Sequence, residues 1–275
     1  MRSLLVLSLA PFLFAGCGDK DSDGDGLTDD QEETFGTSSE AVDSDEDGLT
    51  DKEEFDLGTD GTEIDSDADG YNDLDEVNEG SDPTDSDSMI YAGGWPYYAD
   101  KDSISDPGFG GSTANGETIA RFAWPDQFGD TVDIYDFAYQ GVPVIIDVSG
   151  MWCYYCNEMA KWLEGKNNGL EDYYGQETWF QEIPEMVENG DLIWVTVLDS
   201  DWNGRGLSEE ELVEWYEEYP HEKVAILGDM DGEMVDYLEL VGYPTLLVLN
   251  EDMTIEKLNS DYSKVLDKAY NMASE

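Results

Sequence analysis

The stretch that decides the fold is residues 142–156, which read VPVIIDVSGMWCYYC. Its first half, Val142–Val148, is an almost unbroken apolar run, typical of a central strand that is covered on both faces. The run leads into Trp152-Cys153-Tyr154-Tyr155-Cys156 and then into a helical pattern over Asn157–Glu164. The stretch therefore predicts a buried strand that gives way to a helix at a pair of cysteines.

The two cysteines lie where this strand ends and the helix begins. Such a junction places the Cys153 thiol at the N-terminus of the helix, where free N–H groups and the helix dipole stabilise a thiolate. Cys156 lies one turn further along, within reach of a mixed disulfide formed on Cys153. This spacing is suited to thiol–disulfide exchange.

Strands and helices alternate beyond this stretch. The expected strands are Leu192–Leu198, Thr245–Leu249 and a hairpin partner at Met253–Leu258. The expected helices are Glu177–Asn189, Ser208–Tyr219 and Ser260–Met272. Alternation of this kind predicts an α/β fold with three layers.

Residues on both sides of the dithiol resemble the thioredoxin family. Asp147 lies six residues before Cys153, where the family has a buried carboxylate, and Trp152 matches its tryptophan before the first cysteine. Gly242-Tyr243-Pro244-Thr245 precedes a strand and is similar to the family's cis-proline loop. Phe122–Phe137 resembles the entry segment of the TlpA-like and peroxiredoxin-like branch, and the resemblance spans about residues 119–265.

This resemblance implies a three-layer thioredoxin-like sandwich and a role for each matched residue. Cys153 would attack, Cys156 would resolve the mixed disulfide, and Asp147 would relay a proton to or from Cys156. Pro244 would dock the backbone of a partner protein beside the sulfurs. The partners would be protein thiols and disulfides, and no organic cofactor is implied. Tyr154-Tyr155 departs from the family's usual dipeptides, which leaves the direction of electron flow open.

Simpler interpretations of the same residues remain open. The two cysteines also match half of a zinc site, although the sequence has no second cysteine pair and its one histidine is His221. They also match a purely structural disulfide. Asp147 is also compatible with a buried acid that has no catalytic role, and Pro244 with an ordinary turn proline.

The N-terminus has the pattern of an export signal. Arg2 precedes an apolar run, Leu4–Phe14, that is too short to span a membrane as a mature helix. Phe14-Ala15-Gly16-Cys17 resembles the bacterial lipobox, which implies a signal peptide over residues 1–16 and a lipid on Cys17 that anchors the chain in a membrane. An ordinary signal peptide is the alternative. Either interpretation predicts an exported protein, periplasmic or at the cell surface.

Charge divides the chain into two kinds of segment. There are 67 acidic and 12 basic residues, for a net charge of −55, which argues against nucleic-acid binding because contacts to phosphate need lysine and arginine. The acids concentrate before residue 90 in a pattern that repeats every 22 residues. The pattern starts at Asp21, Asp43 and Asp65, and Asp85-Ser86-Asp87 resembles a truncated fourth start.

Each full repeat has the ligand spacing of a calcium loop. Carboxylates stand at loop positions 1, 3, 5, 9 and 12, with glycine at position 6 for the turn that brings oxygens together around Ca²⁺. The predicted ligands are Asp21, Asp23, Asp25, Asp29 and Glu32; Asp43, Asp45, Asp47, Asp51 and Glu54; and Asp65, Asp67, Asp69, Asp73 and Glu76. The repeats resemble the thrombospondin type 3 repeat of bacterial surface proteins, which implies an irregular, calcium-binding stalk. A disordered acidic tail is the alternative.

These interpretations combine into one organisation and one function. The expected domains are a signal peptide at 1–16, acidic calcium repeats at 17–90, a linker at 91–118 and a thioredoxin-like domain at 119–275. The predicted function is a cell-envelope thiol–disulfide oxidoreductase, tethered by lipid and by the stalk. The competing functions are a calcium-dependent surface interaction protein and, ranked last, a peroxidase.

Overall fold

A computed structural model describes residues 20–166 and 168–274. The predicted signal peptide and the lipidation site Cys17 lie outside the described residues. The chain divides into two compact units between Met89 and Ile90. Within the described ranges, no helix combines the length and the apolar character needed to cross a bilayer.

The N-terminal unit has one short helix in each repeat, where the sequence predicted short helical segments at most. The helices are α1 (Asp29–Phe35), α2 (Asp51–Leu57) and α3 (Asp73–Glu79). Each ends at a glycine in the left-handed region, with φ of 106° at Gly36, 91° at Gly58 and 93° at Gly80. Glycine adopts this conformation without a steric penalty, so it stops each helix after two turns.

Polar contacts connect successive repeats. The Asp25 carboxylate accepts a hydrogen bond from the backbone N–H of Lys52 at 3.0 Å. The Asp47 carboxylate accepts the equivalent bond from Leu74 at 3.3 Å. Apolar burial in each repeat centres on the residue after the loop glycine; these residues are Leu27, Leu49 and Tyr71. The 22-residue register is therefore held largely by carboxylates and backbone N–H groups.

The repeat pattern continues past the third copy. The backbone N–H of Asp60 donates to Ser66 Oγ at 2.7 Å, and that of Asp82 donates to Ser88 Oγ at 3.0 Å. Ser88 thus occupies the place that Ser66 has in the third repeat. The 22-residue spacing of this contact therefore extends to Ser88, whereas the sequence pattern indicated a truncated fourth start at Asp85.

The C-terminal unit is built on seven strands among the described residues. They are β1 (Ala123–Pro125), β2 (Thr131–Asp133), β3 (Val144–Ser149), β4 (Ile193–Leu198), β5 (Val224–Gly228), β6 (Thr245–Leu249) and β7 (Ile255–Asn259). Strands β1 and β2 form a separate hairpin, and the other five form one sheet with the order β5-β4-β3-β6-β7. Strands β4 and β5 run parallel to the central β3, whereas β6 is antiparallel to β3 and to β7. The helices are α4 (Tyr154–Leu163), α5 (Glu171–Tyr174), α6 (Thr178–Asn189), α7 (Glu209–Glu218), α8 (Glu233–Tyr237) and α9 (Tyr262–Ala273).

Both faces of this sheet are covered. One face packs against apolar side chains of α4, α6, α7 and α9, including Trp162 and Ile183. The other packs against α8 and the segment that contains the β1–β2 hairpin, including Phe122 and Met234. Every residue of β3 is buried, as its unbroken apolar pattern predicted. The three-layer α/β sandwich is confirmed, with a hairpin and loops forming much of the third layer.

Strand β5 is absent from the sequence-based prediction. Its run, Val-Ala-Ile-Leu, is short and ends at Gly228. Four apolar residues before a glycine are compatible with a buried strand, so the sequence does contain a local signal for β5. The strand forms because β4 offers it a parallel edge, which the local pattern does not reveal.

The segment from 91 to 118 belongs to the C-terminal unit. Tyr91 and Trp95 are buried in the core beneath the β1–β2 hairpin. The Tyr91 hydroxyl donates to the fully buried Asp136 carboxylate at 2.7 Å, and the Lys101 ammonium binds the same carboxylate at 2.6 Å. A buried charge needs such partners, so these contacts fasten the segment to the sheet domain.

We expect Tyr91→Phe to lower the free energy of unfolding of the C-terminal unit by about 1.5–3 kcal/mol, the usual contribution of a hydrogen bond to a charged group. Urea denaturation followed by tryptophan fluorescence measures this change. Tyr173→Phe is the matched control, because Tyr173 is 75% exposed. Equal stability of the two variants would contradict the role assigned to Tyr91.

Candidate redox site and calcium loops

The Cys153 sulfur caps the first turn of α4. Cys153 and Cys156 form a disulfide with their Cα atoms 5.3 Å apart. Cys153 is the N-cap residue, and its Sγ accepts a hydrogen bond from the backbone N–H of Cys156 at 3.2 Å. The helix begins at Tyr154, earlier than the predicted Asn157, so Cys156 lies within its first turn. The same N–H and the helix dipole stabilise a Cys153 thiolate in the reduced protein.

Contacts to the loop between β3 and α4 hold this cap in place. The Asn157 amide donates to the backbone carbonyls of Met151 at 2.9 Å and of Cys153 at 2.6 Å. Its oxygen accepts a hydrogen bond from the Tyr219 hydroxyl at 2.6 Å. Sequence reasoning missed Asn157 and Tyr219 as parts of the site. No local motif signals them, because they meet only through the packing of α4 beside the end of α7.

Asp147 lies on β3 with only 3% of its surface exposed. Burial in the middle of the sheet raises the pKa of its carboxyl to about 7, and a hydrogen bond from Ser149 Oγ at 2.8 Å opposes this rise. The carboxyl is thus poised to hold or release a proton near neutral pH. Its role as a proton relay remains a prediction.

The proline loop lies beside the dithiol loop. The Tyr243–Pro244 peptide bond is cis. The Tyr243 ring packs edge-on against Trp152, with 5.6 Å between ring centroids, and Trp152 directly precedes Cys153. The structure therefore brings residue 244 to the same end of the sheet as the cysteines, although about ninety residues separate them in the chain.

Exposed aromatic rings surround the dithiol. Trp152, Tyr154 and Tyr155 are 50%, 62% and 46% exposed, whereas Cys153 and Cys156 are 5% and 1% exposed. Tyrosine and tryptophan contribute strongly to protein interfaces, because they bury a large area and lose little rotamer entropy. The site thus presents an aromatic surface around a recessed pair of sulfurs, with Cys153 the more accessible.

Each repeat gathers three carboxylates into one loop. Three carboxylate oxygens, one from each aspartate, lie within 4.8 Å of one another in each group. The groups are Asp21, Asp23 and Asp25; Asp43, Asp45 and Asp47; and Asp65, Asp67 and Asp69. Among the described residues, the groups of three or more possible metal ligands are these three sets of loop aspartates.

The surroundings of the glutamate at position 12 of each loop show whether its oxygens suit a calcium ion. Glu32, Glu54 and Glu76 are fully buried. Both carboxylate oxygens of Glu32 and of Glu54 lack a hydrogen-bond partner, as does one oxygen of Glu76. Burial and neighbouring carboxylates raise the pKa of Glu54 to about 8 and that of the other two to about 7. Buried, unpaired oxygens beside three further carboxylates are a donor set that fits Ca²⁺.

The aspartates at position 9 are oriented differently. The two oxygens of Asp51 accept hydrogen bonds from the backbone and hydroxyl of Ser44, at 2.8 and 2.9 Å. Asp73 makes the same pair of contacts with Ser66, and Asp29 accepts from Ser22 and Lys20. These carboxylates shape the loop through its second residue, and their role as direct ligands remains a prediction.

The N-terminal repeats match a known family. The family model described as "Bacterial TSP3 repeat" matches residues 21–37, 43–60 and 65–86. The three ranges begin where the 22-residue copies begin. The resemblance to the thrombospondin type 3 repeat is therefore confirmed for this region.

One curated protein similar to the chain is an uncharacterized protein of Haemophilus influenzae. It is 25% identical over 121 residues, which cover 43% of this chain and 64% of that protein. The chain thus spans less than two thirds of the length of this relative.

Solved structures similar to the chain cover somewhat more than half of it. A thiol:disulfide interchange protein from Bacteroides sp. is 15% identical, with a TM-score of 0.42, over 59% of this chain and 91% of its own. The pneumococcal exposed lipoprotein thioredoxin of Streptococcus pneumoniae is 17% identical, with a TM-score of 0.38, over 55% and 99% of the two chains. The sheet order, the capped helix and the cis-proline loop of the chain itself make its C-terminal unit thioredoxin-like.

We expect the buried Asp147 to make the oxidised protein less stable as pH rises from about 4 to about 7. In the unfolded chain this carboxyl ionises near the ordinary aspartate pKa of 3.8, whereas the folded one keeps its proton up to a pKa of about 7. In that window the folded state binds more protons, so its stability falls by up to about 1.4 kcal/mol per pH unit. Asp147→Asn removes this slope.

Urea denaturation at a series of pH values measures the difference between the wild type and Asp147→Asn. Asp267→Asn, at an exposed position of α9, is the control for a simple loss of charge. Curves for wild type and Asp147→Asn that run parallel from pH 4 to pH 8 would contradict the prediction.

Proposed function

We propose that the protein is a thiol–disulfide oxidoreductase of the cell envelope, in which Cys153 and Cys156 alternate between dithiol and disulfide. The observation that carries this proposal is the N-cap position of Cys153, whose sulfur accepts the backbone N–H of Cys156. A merely structural disulfide has no need of a helix N-terminus, of a buried acid on the preceding strand, or of an exposed aromatic surround.

The reaction proceeds through two exchanges. The Cys153 thiolate attacks one sulfur of a disulfide in a partner protein, which forms a mixed disulfide and releases the partner's first thiolate. The Cys156 thiolate then attacks Cys153 Sγ, which closes the Cys153–Cys156 disulfide and releases the second thiolate. The partner gains two electrons and the enzyme loses two. The same steps in reverse transfer a disulfide to the partner.

The neighbouring groups assist at defined places. Asp147, with its raised pKa, accepts the proton of Cys156 as that thiol becomes a nucleophile. Pro244 and the loop around it receive the partner's backbone beside Cys153. The aromatic rings of Trp152, Tyr154 and Tyr155 contact the partner's side chains.

The repeats form a calcium-dependent spacer in this proposal. Without a cation, the buried carboxylates of each loop repel one another, and burial favours their neutral forms. Bound Ca²⁺ supplies the compensating charge and fixes the loop. The export signal and Cys17 place the chain outside the cytoplasm, held to a membrane by lipid, and the repeats separate the redox domain from that anchor.

We expect the protein, reduced with dithiothreitol, to accelerate the reduction of insulin and Cys153→Ser to abolish this activity. Turbidity from the released insulin B chain measures the rate. Cys156→Ser should instead accumulate a mixed disulfide through Cys153, visible on a non-reducing gel. Activity that survives Cys153→Ser would refute the proposal. A wild-type protein whose dithiol does not react with insulin would favour the calcium-dependent surface interaction protein.

We expect Glu54→Gln to remove or weaken at least about tenfold one calcium-binding event, because the glutamate at position 12 supplies two oxygens to the ion. Isothermal titration calorimetry of the protein with CaCl₂ measures the stoichiometry and affinity. Glu63→Gln removes one charge at an exposed position of the same unit and serves as the control. Equal titrations for the two variants would contradict the calcium site.

A further inference from the structure

Asp199 connects the two loops that border the dithiol. Its Oδ1 accepts a hydrogen bond from Ser200 Oγ at 2.7 Å, and its Oδ2 accepts one from the Tyr243 hydroxyl. Ser200 Oγ in turn accepts the indole N–H of Trp152 at 2.9 Å. One carboxylate therefore links the residue before Cys153 to the residue before Pro244.

Two hydrogen bonds converge on the carboxylate of Asp199. An indole N–H can only donate, so Ser200 Oγ accepts it and directs its own proton to Asp199. The Tyr243 hydroxyl directs its proton to the other oxygen of the same carboxylate. Alanine at this position has no side-chain acceptor and removes both hydrogen bonds, whereas the N–H₂ group of an asparagine can still donate to Ser200 Oγ, which has two lone pairs.

The Trp152 ring depends on this network because the core does not hold it. The side chain is half exposed and packs edge-on against Tyr243. The backbone of Gly150 lies close to both partners of this hydrogen bond. A Cβ atom on Gly150 would lie 2.8 Å from Trp152 Nε1 and 2.7 Å from Ser200 Oγ. Glycine at this position thus leaves room for the hydrogen bond that fixes the indole.

We infer that Asp199 is a positioning residue that holds Trp152 and Tyr243 as a preformed aromatic wall, and that it thereby favours polypeptide disulfides over small ones. The inference rests on the proposed function. A polypeptide with apolar side chains beside its disulfide has to pack on this wall, whereas a small disulfide only has to reach the Cys153 sulfur. Asp199 acts through the two rings and touches no reacting atom.

The test compares Asp199→Ala, Ser200→Ala and Tyr243→Phe in the full chain. Ser200→Ala releases only Trp152, and Tyr243→Phe releases only the tyrosine, while Asp199→Ala removes the acceptor of both. Asp231→Ala makes the same substitution at an exposed position and is the control. Each protein is assayed for kcat and KM with insulin and for its rate with 5,5′-dithiobis(2-nitrobenzoate), a small disulfide.

We expect Asp199→Ala to raise the KM for insulin about tenfold, the effect of losing a hydrogen bond to a charged acceptor. Its kcat and its rate with the small disulfide should stay within about twofold of wild type. The indole N–H of Trp152, assigned by NMR with Trp152→Phe, should exchange with solvent faster in Asp199→Ala and in Ser200→Ala. Asp231→Ala should match wild type in every measurement.

Unchanged insulin KM and unchanged indole exchange in Asp199→Ala would overturn the inference, and so would equal losses with insulin and with the small disulfide. If Asp199→Ala does not fold, Ser200→Ala and Tyr243→Phe decide the question by the same insulin KM, and Ser200→Ala also by indole exchange. A wild-type protein that reduces neither substrate overturns the proposed function, whereas an active wild type with an unaffected Asp199→Ala overturns this inference alone.

Discussion

The hydrogen bond from the backbone N–H of Cys156 to the sulfur of Cys153 fixes the place of that sulfur at the start of α4. A sulfur can cap a helix only if the preceding strand ends at the right place and the helix starts immediately after it. Strand β3 meets this condition because it is buried on both faces and paired with β4 and β6 along its length. The sheet thus gives a rigid base to a group whose chemistry depends on its position.

The burial of β3 also raises the pKa of an acidic residue on that strand. Asp147 lies on β3 among apolar neighbours, and its desolvation raises the pKa toward neutrality. Ser149 moderates this rise by donating to the carboxylate. A strand that carried only apolar residues would support the helix equally well. Here the strand also carries a buried titratable group, six residues before Cys153.

The N-terminal unit is organised by the opposite principle. Its repeats bury carboxylates and few apolar side chains, and their loops are held by bonds from backbone N–H groups to aspartate oxygens. Several of the buried oxygens, including both of Glu54, have no partner within the protein. Buried polar atoms without a partner destabilise a fold unless something compensates them, whereas the other unit is stabilised by apolar burial.

The sequence by itself determined the features that a local pattern can encode. The apolar run of β3, the cysteine pair after it and the 22-residue register of the repeats are all contiguous signals, and they located Asp147, Cys153 and the loop carboxylates. Only the tertiary structure decided the pairing of β5, the burial of the segment from 91 to 118 and the link from Asp199 to both site loops. These features depend on side chains far apart in the chain that meet only once the sheet has formed, and hydrophobic periodicity carries no information about such meetings.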